Sequence, residues 1–359
     1  MNTAATDADL GAPATVSPRT QGLDWGLLLT AVALAAYGLL AILSASSLDA
    51  EAVYDDPFHF VTRQVAGLVI GGLAAAAVVA APYTWLRRAA WPAWLGAVVL
   101  LGAVLTPLGH SAKGATRWIA LGPVNIQPAE IAKVALVAML ADYLANNRGR
   151  LADVVGVGLP GLGLLLPLVV LVIFQKDFGT TVILLGLAGV LFFAAGLQWR
   201  WMWGGGLATS SLLVFLVLVE PYRIRRLVSF LDPFADPDDA GYQVVQGWIA
   251  LATGGLFGSG IASGVAQRGF LPEPHTDFVS AVVGEELGAL GWVLVVGLTA
   301  VLVWRAARIA TRAPDLFGML AATGIAALFG AQAIINLGVV CGLLPAKGLV
   351  LPFLSYGAS

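Results

Sequence analysis

The sequence predicts an all-α, polytopic transmembrane helix bundle of about ten spans, and three observations predict it. Hydrophobic residues make up 59% of the chain and charged residues only 11%, against about 25% charged in soluble domains. The apolar residues fall into stretches of roughly 17–25, the length that crosses a bilayer as a helix. Lys and Arg concentrate in alternate short loops, as the bias toward the cytoplasmic side requires. A single soluble core cannot absorb so much apolar surface over 359 residues, whereas a bilayer can.

Taken in order, the spans are expected near 24–46, 61–82, 91–107, 128–145, 155–174, 178–197, 202–219, 277–303 and 316–337. A tenth is expected to begin near 349 and to be cut short at Ser359. Residues 1–20 are polar, carry Asp7 and Asp9, and have no basic region before the first apolar run. They read as a disordered cytoplasmic tail rather than a cleavable signal, ahead of a single membrane domain over 21–359. With the N-terminus cytoplasmic, the inner loops hold Arg87 and Arg88, Arg148 and Arg150, Arg200, and Arg305, Arg308 and Arg312. The first outer loop, 47–60, has no Lys or Arg but holds Asp49, Glu51, Asp55 and Asp56. The second, 108–127, has Lys113 and Arg117. Trp25, Trp85, Trp91, Trp199 and Trp201 sit where spans meet water, as amphipathic rings do. The 43 glycines suit helices that approach closely in lipid.

Residues 220–276 form one long outer loop between spans seven and eight. It opens with Pro221, Tyr222, Arg223, Arg225 and Arg226, passes through an acidic stretch from Asp232 to Asp239, and continues as an amphipathic helix over 242–256. Long structured loops are usually functional. The glycine-rich stretch Gly254–Gly269 follows no strand and opens no βαβ unit, so it is no dinucleotide fingerprint. A net charge of −2 gives no footprint for nucleic acid. Cys341 is the single cysteine, which excludes an intrachain disulfide and a cysteine-based zinc site.

Ionisable groups inside spans are costly and are functional candidates by default. Glu130 and Lys133 stand three apart near the outer end of span four, close enough to pair on a helix; a structural ion pair is the bland reading. Lys176 and Asp177 interrupt the turn between spans five and six, where Asp177 could cap the following helix. Asp277, Glu285 and Glu286 lie on the outer half of span eight. Asp277 could cap that helix. On one continuous helix Glu285 would lie about 12 Å deeper and Glu286 on the opposite side, so the three could not share one cavity. Gly284 and Gly288 form a small-xxx-small packing face.

These residues carry a resemblance. Leu271-Pro-Glu-Pro-His-Thr-Asp277-Phe followed by Gly284-Glu-Glu-Leu-Gly288 resembles the signature of the SEDS family (shape, elongation, division and sporulation proteins). Ser44-Ala-Ser46, Gly114-Ala-Thr-Arg117-Trp118-Ile, Gln127-Pro-Ala-Glu130-Ile-Ala-Lys133, Asp232-Pro…Asp236-Pro…Gly241-Tyr-Gln243, Gly254-Gly-Leu-Phe-Gly258, Leu344-Pro-Ala-Lys347-Gly and Pro352-Phe-Leu-Ser355-Tyr-Gly follow in family order. The wording is nearer to the division members than to the elongation members. Two departures stand out. The family usually reads Gln-Pro-Asp-Leu-Gly where this chain has Gln175-Lys-Asp177-Phe-Gly179, and Ala358 interrupts the final motif.

The resemblance implies ten spans, a large outer loop, and a peptidoglycan glycosyltransferase that polymerises lipid II at the outer face of the bacterial cytoplasmic membrane. It also implies that Asp277 matches the family's essential aspartate, and that a single-span class B penicillin-binding protein is the partner. The linkage changes from α to β, so one inverting displacement with one general base suffices, and Asp277 is placed for that role. The leaving pyrophosphate needs cations or backbone donors. Arg117 and Lys133 (with Glu130 beside it) lead the candidates, followed by Lys176, Arg223 and Lys347. A divalent cation, Mg or Mn, could share the task with Asp277 or Glu273 as oxygen ligands, although the sequence shows no dedicated metal cage. Two rival functions are a lipid II flippase and a non-catalytic scaffold for the transpeptidase. The absence of a clear repeat or broken-helix pair in the sequence speaks against the flippase.

Overall fold

Pairs of long apolar helices joined by short turns build the molecule. The computed structural model describes residues 22–112, 115–121, 124–234, 241–265, 270–272, 274–346 and 348–357. Among these, nine helices stand where the nine complete spans are expected: α1 (Trp25–Tyr54), α2 (His59–Ala80), α3 (Tyr83–Val104), α4 (Pro128–Asn146), α5 (Leu159–Phe174), α6 (Phe178–Ala195), α7 (Trp199–Val219), α10 (Val279–Ala310) and α11 (Leu316–Val340). Two shorter helices, α8 (Pro221–Leu231) and α9 (Tyr242–Gly254), occupy the loop between α7 and α10. The chain is an all-α membrane helix bundle. Among the described residues seven helical stretches are long and apolar enough to cross a bilayer: α1, α2, α6, α7, α10, α11 and Val154–Phe174, where one π-turn leads into α5. The other two are more polar. Helix α3 opens with Arg87 and Arg88, and α4 carries Glu130, Lys133 and Asp142. Arg87 Nε meets Asp142 Oδ1 at 2.6 Å, so these charges cross-link the pair.

The main core gathers α3, α4, α5, α6 and α11, with Leu136, Met139, Leu140 and Leu144 of α4 fully buried in it. Helices α2 and α7 are peripheral: each buries a single residue, Gln64 and Leu216, and turns the rest of its apolar surface outward. At the start of α1, Asp24 accepts from Leu27 N (2.8 Å) and from Arg305 Nη1 (2.8 Å). The Leu27 amide, followed by Arg305, holds the Asp24 carboxyl below its ordinary range.

Four features differ from the sequence reading. First, α1 continues to Tyr54, so most of the expected outer loop 47–60 is helix. The added residues include good helix formers, and the helix stops only at Asp55, which is left-handed at φ 56°. Second, a three-stranded antiparallel sheet stands between α3 and α4: β1 (Gly109–Ala112), β2 (Ala115–Leu121) and β3 (Val124–Ile126). Gly109 pairs with Ile119 and Ile119 with Ile126. The strands are short and lie in a segment too polar to be a span, so they left no helical or transmembrane period to read.

Third, residues 348–357 do not begin a helix. They run as turns through the middle of the bundle, with Leu349, Leu351 and Leu354 buried. Pro352 removes a backbone donor, Phe353 is left-handed at φ 65°, and Ser355 Oγ takes the amide of Leu351 at 2.9 Å. Fourth, α10 is broken at Gly288 (φ 68°, ψ −166°), a conformation that favours glycine. The N-terminal tail 1–20, Lys113, Glu273 and Lys347 lie outside the described residues.

Candidate active site

The site forms at the end of the bundle that carries the sheet, where α4, α6 and α10 begin and α7 ends. A cavity of about 110 Å³ opens there. Strand β2 contributes Arg117, the turn before α6 contributes Lys176 and Asp177, and α8 contributes Tyr222, Arg223 and Arg226. Pro345, Ala346 and Gly348 close the remaining side. Helix α8 supplies two cations to one wall because positions three apart share a helix face. Sequence reasoning named Arg223 and passed over Arg226, although that spacing was visible.

The cavity is electropositive by construction. Four cations and one carboxylate, Asp177, line it. Asp177 is committed to the start of α6, accepting from Thr180 N (3.1 Å) and Thr180 Oγ1 (2.8 Å). Each guanidinium donates to a main-chain carbonyl, which orients it without neutralising it. Arg117 Nη2 reaches Lys176 O at 2.8 Å, Arg223 Nη1 reaches Leu216 O at 2.5 Å and Arg226 Nη1 reaches Ala346 O at 3.3 Å. Arg223 is 9% exposed and lies over the rings of Phe178 and Tyr222, 5.3 and 5.5 Å from their centroids. The Nε of Arg117 is buried with no hydrogen-bond partner among the described residues. Buried donors are normally satisfied, so a wall of oriented, un-neutralised guanidiniums is suited to an anionic guest. Lys176 Nζ lies 3.5 Å from Glu220 Oε1, in an exposed pair that contributes little.

Asp277 stands beside this cavity, not inside it. Its carboxylate rests against Gly348: a β-carbon on Gly348 would lie 3.0 Å from Asp277 Oδ2. Gly348 is also part of the cavity wall, so one glycine separates the carboxylate from the cations. Asp277 is partly buried, and α10 begins two residues later with Phe278 at its N-cap position and no side-chain cap bond. Phe278 is buried against Gly247 of α9.

The other predicted residues lie elsewhere. Lys133 is fully buried in the first turns of α4, with Nζ 2.7 Å from Glu130 Oε1, and neither lines the cavity. Glu285 and Glu286, 2% and 4% exposed, both hold the loop 255–265. Glu285 Oε1 accepts from Val265 N at 2.7 Å; Glu286 Oε1 accepts from Ala262 N at 3.1 Å and from the Ser44 hydroxyl. The break at Gly288 completes the arrangement. Ser259 N and Gly260 N donate to the carbonyls of Glu285 and Glu286, and Ala289 N donates to Gly255 O. Backbone groups freed by the break are thus taken up by the loop, as a broken helix in a bilayer requires. Gly284 and Gly288 let this loop and α9 approach: an added β-carbon would meet Leu251 at one and the Gly258 amide at the other. Glu286→Ala is expected to leave the Ala262 amide unsatisfied, at on the order of 1–3 kcal/mol. A lower thermal midpoint with faster amide exchange confined to 255–265 checks this; unchanged protection there contradicts it.

The Lys176 departure has a geometric counterpart. Lys176 is left-handed at φ 57°, and its amide donates to Ile173 O at 2.9 Å. A proline ring fixes φ near −65° and has no N–H, so the family's usual residue cannot adopt this turn. Lys176→Pro is expected to destabilise the protein by on the order of 3 kcal/mol, while Lys176→Gly keeps the turn. Thermal unfolding of the two variants in detergent checks this, and equal midpoints would refute it. Among the described residues no three His, Cys, Asp or Glu side chains gather as a metal cage.

A multi-span helical bundle with an electropositive cavity and a neighbouring carboxylate at one end defines the class: a polytopic membrane protein with a cationic cavity at one end of its bundle. The chain belongs to the family of cell cycle proteins FtsW, RodA and SpoVE, whose sequence model matches residues 24–359. It is 41% identical to a probable peptidoglycan glycosyltransferase FtsW of Geobacter sp. (strain M18) over 342 residues, covering 95% of this chain and 93% of that one. It is likewise 41% identical to a protein of that name from Marinobacter nauticus over 337 residues, covering 93% and 84%. Among solved structures, it resembles a chain from a peptidoglycan synthase complex that coordinates polymerization and crosslinking, with TM-score 0.77, 33% identity and coverage of 94% and 93%. It also resembles the rod shape determining protein RodA of Thermus thermophilus, with TM-score 0.69, 30% identity and coverage of 95% and 92%.

Proposed function

We infer that this chain polymerises lipid II into glycan strands by a single inverting displacement, with Asp277 as the proton acceptor. The chain is a peptidoglycan glycosyltransferase, and its relatives carry that name. The observation that carries the mechanism is the Gly348 boundary, with a carboxylate on one side and an oriented cationic wall on the other. In the reaction an acceptor hydroxyl attacks the anomeric carbon of the donor sugar, the carbon–oxygen bond to the lipid pyrophosphate breaks, and the hydroxyl proton passes to a base. Asp277 accepts that proton. Arg117, Arg223 and Arg226, with Lys176, meet the charge that develops on the departing pyrophosphate. Lys133 and Glu130 act from the neighbouring helix start, bracing α4 beneath β2.

The sheet end of the bundle faces outward and the N-terminus is cytoplasmic, in keeping with the arginines of the opposite loops. The substrate's sugars then lie at the site while its lipid stays in the bilayer. A class B penicillin-binding protein is the partner; the matched chain from a synthase complex that couples polymerization to crosslinking supports this. Among the described residues the break in α10 is filled by the loop 255–265, which supports polymerisation over transport through that break. The chain with its transpeptidase, supplied with lipid II, is expected to yield glycan polymer. Translocation of labelled lipid II without polymer would replace this reading with transport.

A further inference from the structure

The segment that bears Asp277 is tied at two points to the stretch that lines the cavity. At the first, Tyr356 N donates to His275 O at 2.8 Å, and the ring of Phe60 packs against both His275 and Tyr356, with centroids 4.6 and 5.1 Å away. At the second, Asn336 of α11 reaches both strands at once. Its Nδ2 donates to Asp277 O at 2.9 Å and to Leu349 O at 2.7 Å. Asn336 is 1% exposed, and its Oδ1 has no hydrogen-bond partner among the described residues. Chemistry dictates the amide's orientation: two carbonyl oxygens can be served only by the NH₂ group, which has two donors. An apolar residue of the same shape would leave both carbonyls without these donors, a cost that falls on two backbone acceptors at once. The amide therefore has a role that leucine cannot fill.

That role follows from the two carbonyls it joins. One belongs to Asp277 itself. The other belongs to Leu349, the residue after the glycine against which the Asp277 carboxylate rests. A single amide therefore sets the spacing between the carboxylate's backbone and the cavity wall. We propose that Asn336 is a positioning residue, holding the Asp277 carboxylate in register with the cationic cavity through its paired bonds to Asp277 O and Leu349 O. The proposal rests on the reading of Asp277 as the proton acceptor.

The test uses the full chain in complex with its transpeptidase and lipid II as the probe. Asn336→Leu keeps the volume and removes both donors. Displacement of a reacting group by about 1 Å can cost roughly 100-fold, so its kcat is expected to fall about 100-fold while KM for lipid II stays within about threefold of the native value. A change that merely lowered affinity would move KM instead. Gly348→Ala approaches the carboxylate from the opposite side and is expected to lower kcat about tenfold, again at constant KM; it stands on its own if the leucine variant fails to fold. Combined, the two changes should cost less than the product of their separate effects, because both act through one carboxylate. Native kcat in Asn336→Leu, or in Gly348→Ala where the leucine variant does not fold, with Asp277→Ala inactive overturns the brace and leaves the base in place. Polymer from Asp277→Ala overturns both.

Discussion

Asp277→Ala and Asp277→Asn are each expected to lower glycan polymerisation by roughly 10²–10⁴-fold, the usual contribution of a positioned general base. At about 1.4 kcal/mol per decade, that is on the order of 3–5 kcal/mol of barrier. Asparagine is the sharper probe. It keeps the shape that rests on Gly348 and supplies no proton acceptor. Neither change is expected to unfold the bundle, because Asp277 is only partly buried and lies before the first residue of α10. Assembly with the transpeptidase should persist, and the loss should appear in kcat more than in KM. Product length and rate from purified complexes on lipid II decide the matter. An asparagine variant within tenfold of the native rate would remove the proton acceptor from the mechanism.

The second large effect is expected at Arg223. Its guanidinium is nearly enclosed, lies over two rings and donates to Leu216 O. It is therefore fixed before any substrate arrives, and fixed donors act where charge develops. Arg223→Ala is expected to reduce kcat by about 10²–10³-fold. Arg223→Lys should recover little, since an ammonium cannot hold the Leu216 carbonyl and present a planar pair of donors to phosphate together. Arg225, exposed on the same helix and outside the cavity wall, is the control, and Arg225→Ala should stay within about threefold. Equal losses at 223 and 225 would show that helix charge in general matters, not the cavity.

Much of the architecture was legible because a bilayer imposes a length on apolar runs. The helices at the nine expected span positions, seven of them long and apolar enough to cross a bilayer, and the helix over 242–254 follow from hydropathy and amphipathic period. The three short strands had no such signal, and the extension of α1 to Tyr54 was hidden by its acidic residues, which read as loop. The site was legible by residue type and less so by arrangement. A wheel drawn from Asp277 assumed that it belongs to the helix, yet α10 begins at Val279. Glu285 and Glu286 were separated from each other on that wheel. In the fold both reach the same glycine-rich loop, one through Val265 and the other through Ala262. Lys133 and Arg117 were paired as anion ligands by charge alone; the fold places Arg117 on the cavity wall and Lys133 in a buried pair with Glu130. Asn336 gave no sequence signal, being a single amide near the end of an apolar helix. Its meaning depends on two carbonyls 59 and 13 residues away in the chain.

The most direct measurement is a structure of the complex with a non-reactive lipid II analogue bound. The account predicts pyrophosphate oxygens within hydrogen-bond distance of Arg117, Arg223 or Arg226. It also predicts an acceptor hydroxyl about 2.6–3.2 Å from an Asp277 carboxylate oxygen. Pyrophosphate seated away from that cavity, with Asp277 still shut behind Gly348 and touching no sugar, would contradict it.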